Sequence, residues 1–161
     1  MKRDPRIAVA RLGYQRQDSP QTLAQGLEEY YAANIGKVTH PSHLPPESIG
    51  LFLSHDMCHV IFGLNTTLAD EALADVRTLL SSDVGTRRYA SYLATDKQAQ
   101  ALFKELGYLK SVWVTILALP RIVRAVIEAL RMKKRWPWNP PPDLGERRLA
   151  DLRLEFGIRV I

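Results

Sequence analysis

Wherever apolar residues recur regularly along this chain, they recur at the spacing of a helix, and no segment shows the strict alternation of a half-buried strand. That property restricts the chain to an all-α fold, expected here as a single-domain helical bundle. Leu23, Leu27, Tyr30 and Tyr31 mark a first helix, with Ser19 and Pro20 as its expected N-cap and first helical position and an end near Gly36. Residues 37–46 contain Pro41, Pro45 and Pro46 and read as a loop. Ile49, Leu51, Phe52, Leu53, Met57, Val60, Ile61 and Phe62 form a largely buried helix closed by Gly63 and Asn65. Thr67, with Asp70 three residues on, caps the next helix, whose apolar positions are Leu68, Ala72, Leu73, Val76, Leu79 and Leu80. A polar break over 82–86 precedes a helical pattern from about Asp96, with Ala99, Leu102, Phe103 and Leu106, interrupted at Gly107. The longest helical segment runs from Tyr108 to Lys134, and Pro120 is expected to kink or split it into two pieces. Pro137, Pro140, Pro141 and Pro142 impose an extended connection before a short last helix through Leu149, Leu152 and Leu154.

A fold of 161 residues buries enough surface to stand without disulfides or a structural metal, so a metal here is a functional suspect. With 46% hydrophobic and 24% charged residues the chain is not a disordered segment. The lone Cys58 forms no internal disulfide, and residues 1–13 contain no apolar core of a secretory signal, so a cytoplasmic location is expected. The strongest apolar stretch, between Lys110 and Arg121, has ten residues against the ~20 of a spanning helix. The net charge of +5 has a local source: Arg121, Arg124, Arg131, Lys133, Lys134 and Arg135 stand against Glu128 alone. A nucleic-acid binder spreads its cations along a reading element, so no nucleic acid is expected. A basic block beside Trp136 and Trp138 suits an anionic membrane surface, and equally a solvated helix end.

His55-Asp56-Met57-Cys58-His59 carries the chemistry. On a helix, positions 55 and 59 differ by about 40° around the axis, and Asp56 lies about 60° from His59, so one cation can touch all three. Eleven residues, Val60 to Asp70, separate this motif from Glu71, which the short connection at 63–67 can fold back as a fourth ligand. Two imidazoles and two carboxylates suit zinc first, with manganese or ferrous iron as alternatives and magnesium less at home. The bland alternative is two ordinary helix histidines hydrogen-bonded to acids. Cys58 points about 100° from His59 and reads as an inert buried thiol. In the zinc-protease motif Glu occupies the place of Asp56. A His-Asp phosphohydrolase needs further ligands, for which His40, His43, Asp75 and Asp83 are only loose candidates; His40 and His43, in the proline-rich loop, are expected to face solvent.

His55-Asp56-Met57-x-His59, Gly63 and Glu71 resemble the signature of the coenzyme Q biosynthesis protein 4 family, and Leu149-x-x-Leu152-Arg153-x-Glu155-x-Gly157-Ile158 resembles its closing pattern. Asp70 stands where a glycine is common in that family, and the approach to His55 is shorter. The resemblance implies a mainly helical ubiquinone biosynthesis protein that removes the ring carbon-one carboxyl group of a prenylated hydroxybenzoate. It implies a divalent ion on His55, Asp56, His59 and Glu71; Asp56 has a second candidate role as a catalytic proton acceptor. The expected partners are prenylated aromatic or isoprenoid lipid, the cytoplasmic membrane surface, other quinone biosynthesis proteins and a second copy in a homodimer. Trp113, Ile116, Leu117, Ile122, Val123 and Ile127 are candidates for lining an isoprenoid groove, or for plain core. Two other classes fit the motif: a non-catalytic prenyl-lipid-binding scaffold, and a metal-dependent hydrolase of small soluble substrates.

Overall fold

The computed structural model describes residues 11–95 and 108–161, with side chains described for 11–90 and 117–161. Among the described residues the chain is all-α: α1 (Leu23–Ala33), α2 (Pro46–Phe62), α3 (Leu68–Ser81), α4 (Thr86–Thr95), α5 (Tyr108–Leu130) and α6 (Leu149–Phe156). Isolated bridges take the place of strands.

α1 starts later than its expected cap. Thr22, not Ser19, is the N-cap: its hydroxyl accepts from the Gln25 amide at 3.2 Å, while Gln25 Oε1 accepts from the Thr22 amide at 3.0 Å. The reason is tertiary, because the Ser19 and Gln21 carbonyls are taken by the Ala150 and Leu149 amides and residues 19–22 lie extended against the start of α6. α2 instead starts earlier, since Pro46 occupies the first helical turn rather than ending the loop; its missing amide hydrogen costs nothing there. Gly63 closes α2 in the left-handed conformation at φ 72°, where a Cβ would meet Val160 Cγ1 at 2.6 Å. Thr67 caps α3 as expected, its hydroxyl accepting from the Asp70 amide at 3.1 Å.

α4 occupies residues adjoining the expected polar break, and it is a surface helix among whose described residues only Tyr89 is buried. The pattern expected from Asp96 lies outside the described residues. α5 is continuous through Pro120 rather than split in two. It ends at Leu130, short of the expected Lys134, because the Lys133 amide donates to Phe156 O (2.9 Å) and the Trp136 amide to Ser81 O (2.7 Å). These bonds pull the basic segment down onto α6 and α3. Trp136 and Trp138 are consequently core residues, packed edge-on to Phe156 and Tyr89, and their indoles do not reach a lipid headgroup layer.

The core joins Leu23, Tyr30, Val60, Phe62, Leu73 and Leu152, with Trp136 at one side. Beneath it the closing motif works as a latch. Leu149, Leu152 and Ile158 are buried, Gly157 caps α6 at φ 73°, and Glu155 pairs with Lys134 and Arg147. Arg153, fully buried, donates to the carbonyls of Tyr14, Arg16, Val60 and Ile61. The end of α2 is thereby fixed from behind, which sets the helix that carries His55 and His59.

Candidate metal centre

α2 and α3 are consecutive, and the tight link between them turns the first turn of α3 back toward α2. Three side chains meet there. His55, His59 and Glu71 each offer a ligand atom, and these atoms lie within 4.8 Å of one another. The histidine rings meet edge to face with centroids 4.8 Å apart, and His59 Nε2 stands 3.4 Å from Glu71 Oε2. That separation is long for a hydrogen bond, and both ring nitrogens of His59 are buried without one. Burying polar nitrogens without partners is costly, so an orphaned imidazole beside a carboxylate fits a cation placed between them. The donor set, two nitrogens and one oxygen, is one that zinc uses with a further position left open.

The surroundings hold the rings in place. Tyr30 of α1 stacks on His59 at 5.4 Å with a 28° interplanar angle. Asp70 accepts from the Asn65 amide at 3.3 Å and pairs with Arg121 at 2.8 Å, which ties α5 to the residue next to Glu71. Glu71 lies in the first turn of α3, where the helix dipole favours a carboxylate. With its side chain 31% exposed against 1% for His59, Glu71 is where the group meets solvent.

Asp56 is placed differently from the other three. It shares α2 and is buried, but its Oδ2 accepts from the Tyr31 hydroxyl at 2.9 Å, and it does not belong to the three-residue group. Cys58 is buried too, and burial pushes its thiol up to about 12, far from a thiolate ligand. His40 accepts from the Ser42 amide and lies edge-on to Tyr31 at 4.8 Å, while Asp83 accepts from the Trp138 amide at 2.6 Å. Asp75 accepts from the Tyr89 hydroxyl. Tyr30 and Tyr31 read in the sequence as core alone; nothing in their helical spacing distinguishes a stacking or hydrogen-bonding tyrosine from a packed one.

The two histidines titrate in opposite directions. Burial, then the neighbouring His59, pulls the His55 pKa well below its ordinary 6.5. Burial pulls the same way on His59, but Glu71, Asp56 and Asp75 together outweigh it and hold that imidazole above 6.5. A metal needs both rings neutral. His55 is already so, and the proton to be displaced sits on His59. Zinc affinity should therefore rise with pH past 6.5, by up to about tenfold per unit, and level off only above the raised His59 value. Just below 6.5 the slope should be one proton rather than two. Titration calorimetry over a pH series checks this, and a plateau at the ordinary histidine value would contradict it.

A scan against protein-family models, a search of the curated proteins and a search of the solved structures each returned no match.

Proposed function

We propose that the protein is a divalent-metal enzyme of ubiquinone biosynthesis, acting on a prenylated hydroxybenzoate and removing its ring carbon-one carboxyl group as carbon dioxide. The observation that carries this reading is the His55–His59–Glu71 group, two buried imidazoles and a partly exposed carboxylate, whose three donors would leave a bound ion a position for something other than protein. A purely bracing zinc takes four protein ligands and closes its site. The likeness of residues 55–71 and 149–158 to the coenzyme Q biosynthesis protein 4 family supplies the substrate class.

His55, His59 and Glu71 would hold the ion, with zinc as the first choice. When bound, an ion of this class supplies positive charge against the negative charge that grows as a carboxylated ring reacts. The chain's own residues do the rest. Tyr30 fixes the plane of His59, and the Tyr31 hydroxyl fixes Asp56. Asp56 is the proton acceptor in this reading: it takes the proton of the ring hydroxyl and makes the ring electron-rich. Ring carbon one then loses carbon dioxide, keeps the bonding electron pair and takes a proton from water.

The same reading places the protein on the cytoplasmic membrane surface. No helix among the described residues is long and apolar enough to cross a membrane. α5 nevertheless exposes Leu119, Val123, Ile127 and Leu130, which fall on one face at helical spacing, and Arg124 and Arg131 flank them. An apolar stripe edged with cations suits an anionic lipid surface, where a prenylated substrate resides.

The test is release of labelled carbon dioxide from a carboxyl-labelled prenyl hydroxybenzoate in vesicles. Release should need added metal and should fall at least about hundredfold in Glu71→Gln, and Asp56→Asn should lower turnover without lowering metal content. Metal-loaded, folded protein that releases nothing would overturn the proposal.

A further inference from the structure

We propose that the cleft between the carboxyl end of α5 and the tail after α6 is a second ligand site, built for a phosphate-type dianion. It encloses about 630 Å³ and is lined by Arg124, Glu128, Arg131, Lys133, Gly157 and Arg159. That volume is typical of small-ligand sites, and none of these residues belongs to the His55–His59–Glu71 group.

The walls carry four cations and one carboxylate. Glu128 does not cancel the excess, because it is buried, lies 3.4 Å from Arg131 Nη1, and acts from α5 on the buried guanidinium of Arg77 in α3. Gly157 is what brings the tail in. A Cβ there would stand 2.9 Å from the Lys133 nitrogen, so only a glycine lets the chain after α6 lie against the turn that follows α5. The seam is held by the Lys133 amide donating to Phe156 O at 2.9 Å, and it delivers Arg159 to the cleft that Arg124 lines from α5 and Arg131 from the turn just after it.

Ordinary causes of a basic cluster explain only part of it. In the same segment Lys134 pairs with Glu155, and Arg135 donates to Ser82 O at 3.3 Å. The helix dipole favours cations at a carboxyl end, which accounts for Arg131 directly after Leu130, and the Lys133 ammonium already donates to Leu154 O at 3.0 Å. The dipole does not account for Arg124, which lies well before the last turn, or for Arg159, which is not on the helix. Among the described residues neither of these two has an acidic partner. Like charges gathered around one cleft repel, and a doubly charged oxyanion turns that repulsion into attraction. Guanidinium forks match phosphate oxygens in pairs, which a monoanion such as chloride cannot exploit.

The experiment is calorimetric titration of the full chain with inorganic phosphate, with ionic strength held constant by chloride. A parallel arm sediments the protein with phosphatidylcholine vesicles with and without phosphatidic acid. Arg124→Ala and Arg159→Ala alter exposed side chains and should fold normally by circular dichroism; Arg88→Ala, on the exposed face of α4, is the control. We expect one saturable site that each cleft variant weakens at least about tenfold and the control leaves unchanged. Saturable phosphate binding without preference for the acidic vesicles assigns a soluble phosphate ester. Preference for phosphatidic acid that both cleft variants abolish assigns a lipid headgroup. Neither phosphate binding nor vesicle preference, or binding that both cleft variants leave within about twofold, would overturn the proposal.

Discussion

Replacing Arg153 by alanine should lower the melting temperature by about 10–20 °C. The guanidinium lies with no solvent exposure, and burial brings its pKa down only to about 10, so it stays charged at neutral pH. It donates to Tyr14 O at 2.7 Å, to Val60 O and Ile61 O at 2.8 Å, and to Arg16 O. Val60 and Ile61 are in the last turn of α2, where Val60 O accepts from the capping Gly63 amide at 3.1 Å and Ile61 O has no following helical amide. Charged hydrogen bonds of this kind contribute about 1.5–3 kcal/mol each, non-additively, and alanine would strand the Tyr14 and Ile61 carbonyls in the interior, while Arg16 O keeps the Ser19 amide and Val60 O the Gly63 amide. A loss of about 4–5 kcal/mol follows, at about 2–4 °C per kcal/mol for a chain of this size. Arg153→Lys should recover only part, because one ammonium cannot span the carbonyls that a planar fork spans. Thermal unfolding followed by circular dichroism measures both. An alanine variant melting within a few degrees of the parent would mean that α6 does not hold the helix that carries His55 and His59.

How much of the fold and of the metal group is legible in the sequence depends on the kind of interaction. The α2–α3 pair is legible because its signals are local: a histidine pair at one-turn spacing, a left-handed glycine and a threonine cap fall within a short stretch. Glu71 can be assigned to the group because a tight link leaves little freedom in where the next helix begins. Asp56 shows the limit of the same reasoning. Helical spacing places it near both histidines, but its carboxylate faces Tyr31 on α1, a partner 25 residues away that no period reveals. The start of α1 departs from its expected cap for the same reason, since residues 19–22 are claimed by α6 from the far end of the chain. Trp136 and Trp138 beside a basic run resemble a membrane anchor in one dimension; the Trp136 amide bond to Ser81 and the Trp138 amide bond to Asp83 turn them inward. Arg153 is visible in the sequence only as part of a family pattern, and its four carbonyl acceptors come from segments that the sequence cannot bring together.

His59→Ala should reduce zinc affinity at least about hundredfold and abolish the stabilisation that zinc gives the parent protein. His59 is the central member of the group: it contacts His55 edge-on and faces Glu71 at 3.4 Å, so its loss leaves two donors on different helices with no ring between them. In the parent, zinc at about a hundred times its dissociation constant adds about 2.7 kcal/mol, which appears as a rise of about 5–10 °C in melting temperature. In the variant that rise should vanish. The metal-free variant should itself stay folded. Alanine loses the stacking of the ring on Tyr30, yet it also removes two buried nitrogens that lack hydrogen bonds, and these terms oppose each other. This distinguishes a catalytic ion from one that only braces two helices in a non-catalytic scaffold, because a brace predicts that the variant loses thermal stability, whereas a catalytic ion predicts a folded protein without turnover. His40→Ala supplies the comparison, since His40 lies against Tyr31 and outside the group and should leave zinc binding within about twofold. Calorimetric titration with zinc and paired melting curves read both quantities, and a His59→Ala protein that still binds one zinc at parental affinity would remove the metal centre from α2 and α3.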